Sequence, residues 1–110
     1  KDTALMVEFA NRIVAAVDRP ISWIHMPVPR ERDDDAYFAP LRNLKLKPGT
    51  EFYVGLVHFT DGLQGAQRRL AAAKRVISNF GVATECGFGR RPPESIPSLL
   101  KLHREVAQAA

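Results

Sequence analysis

Cysteine is nearly absent from this chain: Cys86 is the single one in 110 residues, so no internal disulfide can form and the fold must be held by its core. That usage reads as intracellular or as indifferent to redox compartment, with the cytoplasm as default. Long hydrophobic runs are missing too. No stretch approaches the roughly 20 apolar residues of a membrane span, and the N-terminus lacks the basic-then-apolar order of a secretory signal. Charge of one sign is in short supply, since 16 Lys and Arg against 12 Asp and Glu leave a net charge of only +4. The basic residues are scattered or lie on helix faces, so nucleic-acid binding is permitted but not indicated, and no aromatic stacking platform is expected on an exposed sheet. A G-x-S-x-G elbow is lacking, as is a lysine at a strand end, which argues against serine-hydrolase and Schiff-base chemistry. Internal repeats and low-complexity segments are absent. The chain starts at Lys1, without an initiator methionine, as an expressed segment, a processed product or a piece of something longer would.

What is present is an alternation of helical and extended patterns within one domain's length. Residues 2–17 carry Leu5, Met6, Phe9, Ile13, Val14 and Val17 at helical spacing, which predicts a helix with one buried face, stopped by Asp18-Arg19-Pro20. Residues 21–26 read as a short apolar strand, and Pro27 and Pro29 place 27–32 in a loop. Asp33, Asp34 and Asp35 suit the first turn of a short helix burying Tyr37, Phe38 and Leu41; capping explains them more simply than Mg²⁺ binding. Pro48-Gly49 marks a turn before the clearest strand, 51–59. The strongest helix follows Thr60-Asp61-Gly62, with Leu63, Ala66, Leu70, Ala73, Ile77 and Phe80 as its stripe, Gln67, Arg68, Lys74 and Arg75 outward, and Gly81 as its C-terminal cap. Residues 82–86 form a third strand. A last helix follows Pro92-Pro93-Glu94-Ser95, with Ile96, Leu99, Leu100, His103 and Val106 on its apolar side; His103 is a packing residue.

Apolar strands separated by helical crossovers imply an α/β fold with a parallel sheet covered on both faces. In such folds reactive groups gather at the carboxyl ends of the strands. His25, His58 and Cys86 each end a predicted strand, with Asp61 and Glu85 beside the last two. Imidazole and thiolate together are donors that Zn²⁺ selects, and a catalytic zinc takes about three protein ligands plus an open position. The spacing matches no local zinc motif. The same residues also read as a small buried cysteine and histidines satisfied by backbone carbonyls. Gly87-Phe88-Gly89-Arg90-Arg91 at a strand-to-helix turn offers N–H groups and two guanidinium ions to an anion, although it carries neither G-x-G-x-x-G nor G-K-[ST].

The stretch Thr84-Glu85-Cys86-Gly87-Phe88-Gly89-Arg90-Arg91, preceded by Tyr53-Val54-Gly55-Leu56-Val57-His58 and its helix, resembles the C-terminal end of the catalytic barrel in the cobalamin-independent methionine synthase and uroporphyrinogen decarboxylase superfamily. It is closest to the methionine-synthase-like branch. The resemblance implies that residues 1–110 are a single partial domain, strands six to eight of a (β/α)₈ TIM barrel with the helix before them. It carries the role of zinc ligand onto Cys86, and onto His25 where the family has a glutamate. His58 or Asp61 would handle a proton, and Glu85, Arg90 and Arg91 would lie against substrate. The family's His-x-Cys ligand pair belongs to an earlier strand that this chain does not contain, and His58 falls two positions before the family's histidine.

The implied activity is a zinc-dependent methyltransferase reaction, alkyl transfer from an unidentified methyl donor to a small-molecule thiol. The chain alone is expected to be inactive until the remaining strands are supplied by the same longer chain or by another. Two other readings stand beside it: a small non-catalytic basic α/β binding module, and a metal-free decarboxylase-like barrel fragment.

Overall fold

The computed structural model describes residues 2–85 and 87–110. Its core is a three-stranded parallel sheet in sequential order, β1 (Trp23–Pro27), β2 (Glu51–Val57) and β3 (Gly81–Thr84). The helices are α1 (Ala4–Ala16), α2 (Asp35–Phe38), α3 (Gly62–Val76) and α4 (Ile96–Ala109), with a 3₁₀ turn at Ala39–Asn43 running on from α2. The protein is therefore α/β, with helical crossovers joining parallel strands.

The two faces of the sheet differ. Met26, Phe52, Val54, Leu56 and Val82, on alternate positions, join Tyr37, Phe38, Leu70, Ala73, Leu99 and Val106 of the helices in one buried cluster. Along the other face Trp23 and Glu51 are exposed while His25, Tyr53 and Ala83 are half-buried. Contrary to expectation, the described residues cover the sheet on one side only. Sequential strand order without a reversal keeps successive crossovers on one face, whereas double coverage needs the order to switch.

The first helix also departs from expectation. Val7, Ala10 and Val14 face the core, while Leu5, Phe9 and Ile13 are 62%, 59% and 52% exposed. Its sequence carries two apolar stripes, and the elements of this chain meet only the one with smaller side chains. α1 is fastened by polar contacts at its N-terminus and near its middle: Thr3 Oγ1 donates to the Tyr37 carbonyl at 2.9 Å, and Asn11 bridges the Asn43 carbonyl and the Lys45 amide at 2.9 and 2.7 Å.

Pro27 lies inside β1 instead of after it. β1 is an edge strand, and it is the Val28 amide that reaches the Gly55 carbonyl, at 3.2 Å, so the missing proline N–H leaves no gap in the ladder. α2 starts at Asp35 because Asp34 caps it, accepting from the Tyr37 amide at 3.0 Å. α3 ends at Val76, so Ile77 and Phe80 lie beyond the helix and Gly81 opens β3 instead of capping α3. In α4 the inward stripe is Leu99, Leu102 and Val106; Leu100 is exposed.

Candidate functional site

At the carboxyl end of the sheet two polar groups are built on the core. His58 follows directly on β2 and is 6% exposed. Its Nε2 lies 2.6 Å from the Val28 carbonyl oxygen, which can only accept, so Nε2 carries a hydrogen and donates it. Its Nδ1 is 3.3 Å from Glu85 Oε2. The other Glu85 oxygen accepts from Arg91, whose guanidinium stands 5.7 Å above the centre of the Phe59 ring. The loop after β1, the end of β2 and the segment after β3 are thus tied together through one imidazole and one carboxylate.

The second group centres on Arg69 of α3, 1% exposed although it carries a full charge. Its Nε donates to the Leu56 carbonyl at 2.8 Å and its Nη1 to the Arg30 carbonyl at 2.9 Å. Both outer nitrogens also hold Asp61, at 2.7 and 2.9 Å, a bidentate pair. These bonds pull the Asp61 carboxyl below its ordinary value, against the opposing effect of burial. Gly65 makes the geometry possible: a Cβ there would stand 2.1 Å from the Asp61 carboxylate, which lies across the helix at that point. At the same rim, Arg30 donates to the Thr60 hydroxyl at 3.1 Å.

The open face of the sheet carries a different surface. The His25 ring leans from β1 across Gly55 and brings Nε2 to 3.4 Å from the Thr84 carbonyl on β3; a Cβ on Gly55 would sit 2.5 Å from that nitrogen. The Tyr53 ring lies likewise across Gly81, whose Cβ would meet ring carbons at 2.5 Å. His25 and Tyr53 are register partners, as are Tyr53 and Gly81, so the two rings pave adjacent strands. A cavity of about 610 Å³ lies over them, walled by Trp23, Ala83, Glu85 and Gly87. Trp23 is 61% exposed. An aromatic platform is therefore present on the open sheet, contrary to the expectation from composition. The Arg90 guanidinium lies beside it, 2.7 Å from where a Gly87 Cβ would be.

Of the residues singled out from the sequence, His25 and Glu85 line this cavity, His58 contacts Glu85 from behind, Arg91 holds Glu85, and Arg90 sits at the rim. Asp61 turns to Arg69 and is engaged at both oxygens. Cys86 lies outside the described residues. Among the described residues no group of three or more His, Cys, Asp or Glu side chains is close enough to hold a metal ion. Sequence reasoning missed Arg69, Gly55 and Gly81. Arg69 was findable, since it falls between Ala66 and Ala73 on the buried stripe of α3, where a charge requires a partner. The glycines carry no local signal because their role depends on a neighbouring strand.

No family model, no curated protein and no solved structure matches this chain.

Proposed function

We propose that the chain is the C-terminal part of a methionine-synthase-like (β/α)₈ barrel, a fragment of a zinc-dependent methyltransferase that alkylates a thiol and that is inactive until the other strands are supplied. The observation that carries the reading is a singly covered parallel sheet. A sequential β1-β2-β3 order with helices packed against one face is how a barrel wall is wound, and the bare face with its imidazole, phenol and carboxylate corresponds to a barrel interior. The free edges of β1 and β3 and the outward stripe Leu5, Phe9 and Ile13 fit the same reading, because neighbouring βα units would cover them.

The zinc part of the proposal rests on the resemblance at Cys86 and on the position of His25. His25 reaches over Gly55 to the Thr84 carbonyl at the end of β3, and Cys86 follows Thr84 by two positions in the sequence. His25 and Cys86 would hold the ion together with ligands from outside this chain. Bound zinc supplies Lewis-acid charge that keeps a substrate sulfur in its nucleophilic thiolate form at neutral pH. Asp61 is held by Arg69, and His58 is engaged at both ring nitrogens, by the Val28 carbonyl and by Glu85, so a proton handled by His58 would pass through Glu85. Glu85, Arg90 and Arg91 lie where a polar substrate end would be oriented. The methyl donor is left open.

Equilibrium zinc binding, read by competition with a colorimetric chelator, tests the proposal, because two ligands alone are too few to carry zinc through gel filtration. The chain should compete measurably for zinc, and Cys86→Ser and His25→Ala should each weaken that competition by about tenfold or more, the scale of losing one contributor to a metal site. Equal competition by wild type and both variants, or none by any, refutes the zinc assignment.

A further inference from the structure

The cavity on the open face has an aromatic floor and a Trp23 wall that the zinc assignment does not use. Its floor is flat. The His25 and Tyr53 rings lie against the sheet because Gly55 and Gly81 have no side chain beneath them, and Ala83 continues the floor with a single methyl group. Trp23 forms a mostly exposed wall, so one large ring face is available to a ligand. An alkyl chain gains nothing particular from such a surface, whereas a planar ring can stack on it.

Charge separates the remaining ligand classes. An organic cation is disfavoured: Glu85, the carboxylate in the cavity wall, is already paired with Arg91 and faces His58, and the chain carries a net charge of +4. An anion is favoured, because Arg90 places its guanidinium against the Gly87 wall while its side chain remains exposed to solvent.

The geometry points to a binding site for a planar aromatic ring bearing an anionic group, with the ring stacked on Tyr53, His25 and Trp23 and the anion directed to Arg90. Gly55, Gly81 and Ala83 determine specificity by holding the floor low. This deepens the proposed function by naming a ligand class for the open face, but it needs no metal and no Cys86.

The protein supplies its own reporter, since Trp23 is the sole tryptophan. The metal-free chain is titrated with adenosine 5′-monophosphate as probe, and with adenosine and ribose 5-phosphate as ring-only and anion-only controls, following Trp23 fluorescence. Saturable quenching by the nucleotide is expected, with adenosine about tenfold weaker, the worth of one charge-assisted contact, and ribose 5-phosphate without effect. Arg90→Gln should bring the nucleotide down to the adenosine level, and Ala83→Leu should abolish quenching by both. Should Ala83→Leu lose its native circular dichroism, Tyr53→Leu serves as the second floor variant. Absence of saturable quenching up to about 10 mM nucleotide, weaker than any useful affinity, overturns the assignment. So does quenching by ribose 5-phosphate equal to that by the nucleotide, or an affinity unchanged in a folded floor variant. Failure here with zinc bound would leave the methyltransferase reading standing, and the reverse result would remove the zinc while keeping the ring site.

Discussion

Replacing Arg69 by methionine probes the strongest polar construction in the chain. Arg69 is 1% exposed and makes four hydrogen bonds, to the Leu56 and Arg30 carbonyls and twice to Asp61. Methionine fills much of the volume but donates nothing. The substitution leaves the Leu56 carbonyl without this donor and takes the countercharge from Asp61. Breaking a buried ion pair from one side costs about 3–5 kcal/mol; the Asp61 side chain is 22% exposed and can regain water, which favours the lower figure, about 3 kcal/mol. With a urea dependence of about 1.5 kcal/mol per molar for a small domain, the midpoint should fall by about 2 M with no change in slope. Asp61→Asn should also destabilise, because it leaves the buried guanidinium uncompensated. The double variant Asp61→Asn/Arg69→Met should be more stable than the sum of the singles by about 1–3 kcal/mol, the coupling expected of contacting partners. Acidity gives the same result from another direction. The Asp61 carboxyl titrates below its ordinary 3.8 when folded, so the stability it contributes is complete above that value and disappears as pH falls through the depressed one. Arg69→Met should flatten this acid limb. A loss below about 1 kcal/mol in Arg69→Met, the cost of an ordinary surface contact, would refute the view that the pair fastens the sheet's carboxyl end.

Gly65→Ala should destabilise even though alanine is the better helix former by about 1 kcal/mol, because its Cβ would stand 2.1 Å from the Asp61 carboxylate; a raised urea midpoint would contradict this. Asp34 is held at about 2 against an ordinary 3.8, first by its hydrogen bond from Arg32 and further by the Tyr37 amide, with desolvation opposing. Its contribution is thus full above 3.8 and lost as pH falls toward about 2. Carboxyl NMR should show the midpoint climbing in Arg32→Gln, and an unmoved midpoint would remove the ion pair as the cause. Phe9→Lys, at a side chain 59% exposed, should change stability by no more than about 0.5 kcal/mol, whereas Val14→Ala on the inner stripe should cost about 1–3 kcal/mol in the same urea titration. Gly55→Ala should displace the His25 ring from the Thr84 carbonyl and shift its NMR resonances; unchanged resonances would show that the ring does not rest on the glycine.

The amino-acid pattern alone determined the α/β alternation, the approximate position of every strand, and the placing of His58 and Glu85 just past strand ends, because hydrophobic periodicity and proline and glycine stops act over a few residues. His25, expected to end β1, is instead the third of its five residues, because the strand pairs on through Pro27. The pattern also made Asp34 a cap, since a carboxylate three residues before an amide is a local device. Tertiary structure alone decided the rest. Which stripe of α1 turns inward depends on what stands opposite, so Val7, Ala10 and Val14 are buried while the larger Leu5, Phe9 and Ile13 are not. Whether the sheet is covered once or twice depends on strand order, to which periodicity is blind. The glycines under His25 and Tyr53, and the carboxylate that makes a buried Arg69 tolerable, gain their meaning from residues on other elements. Such pairings form through space, across spans of chain that no local pattern connects.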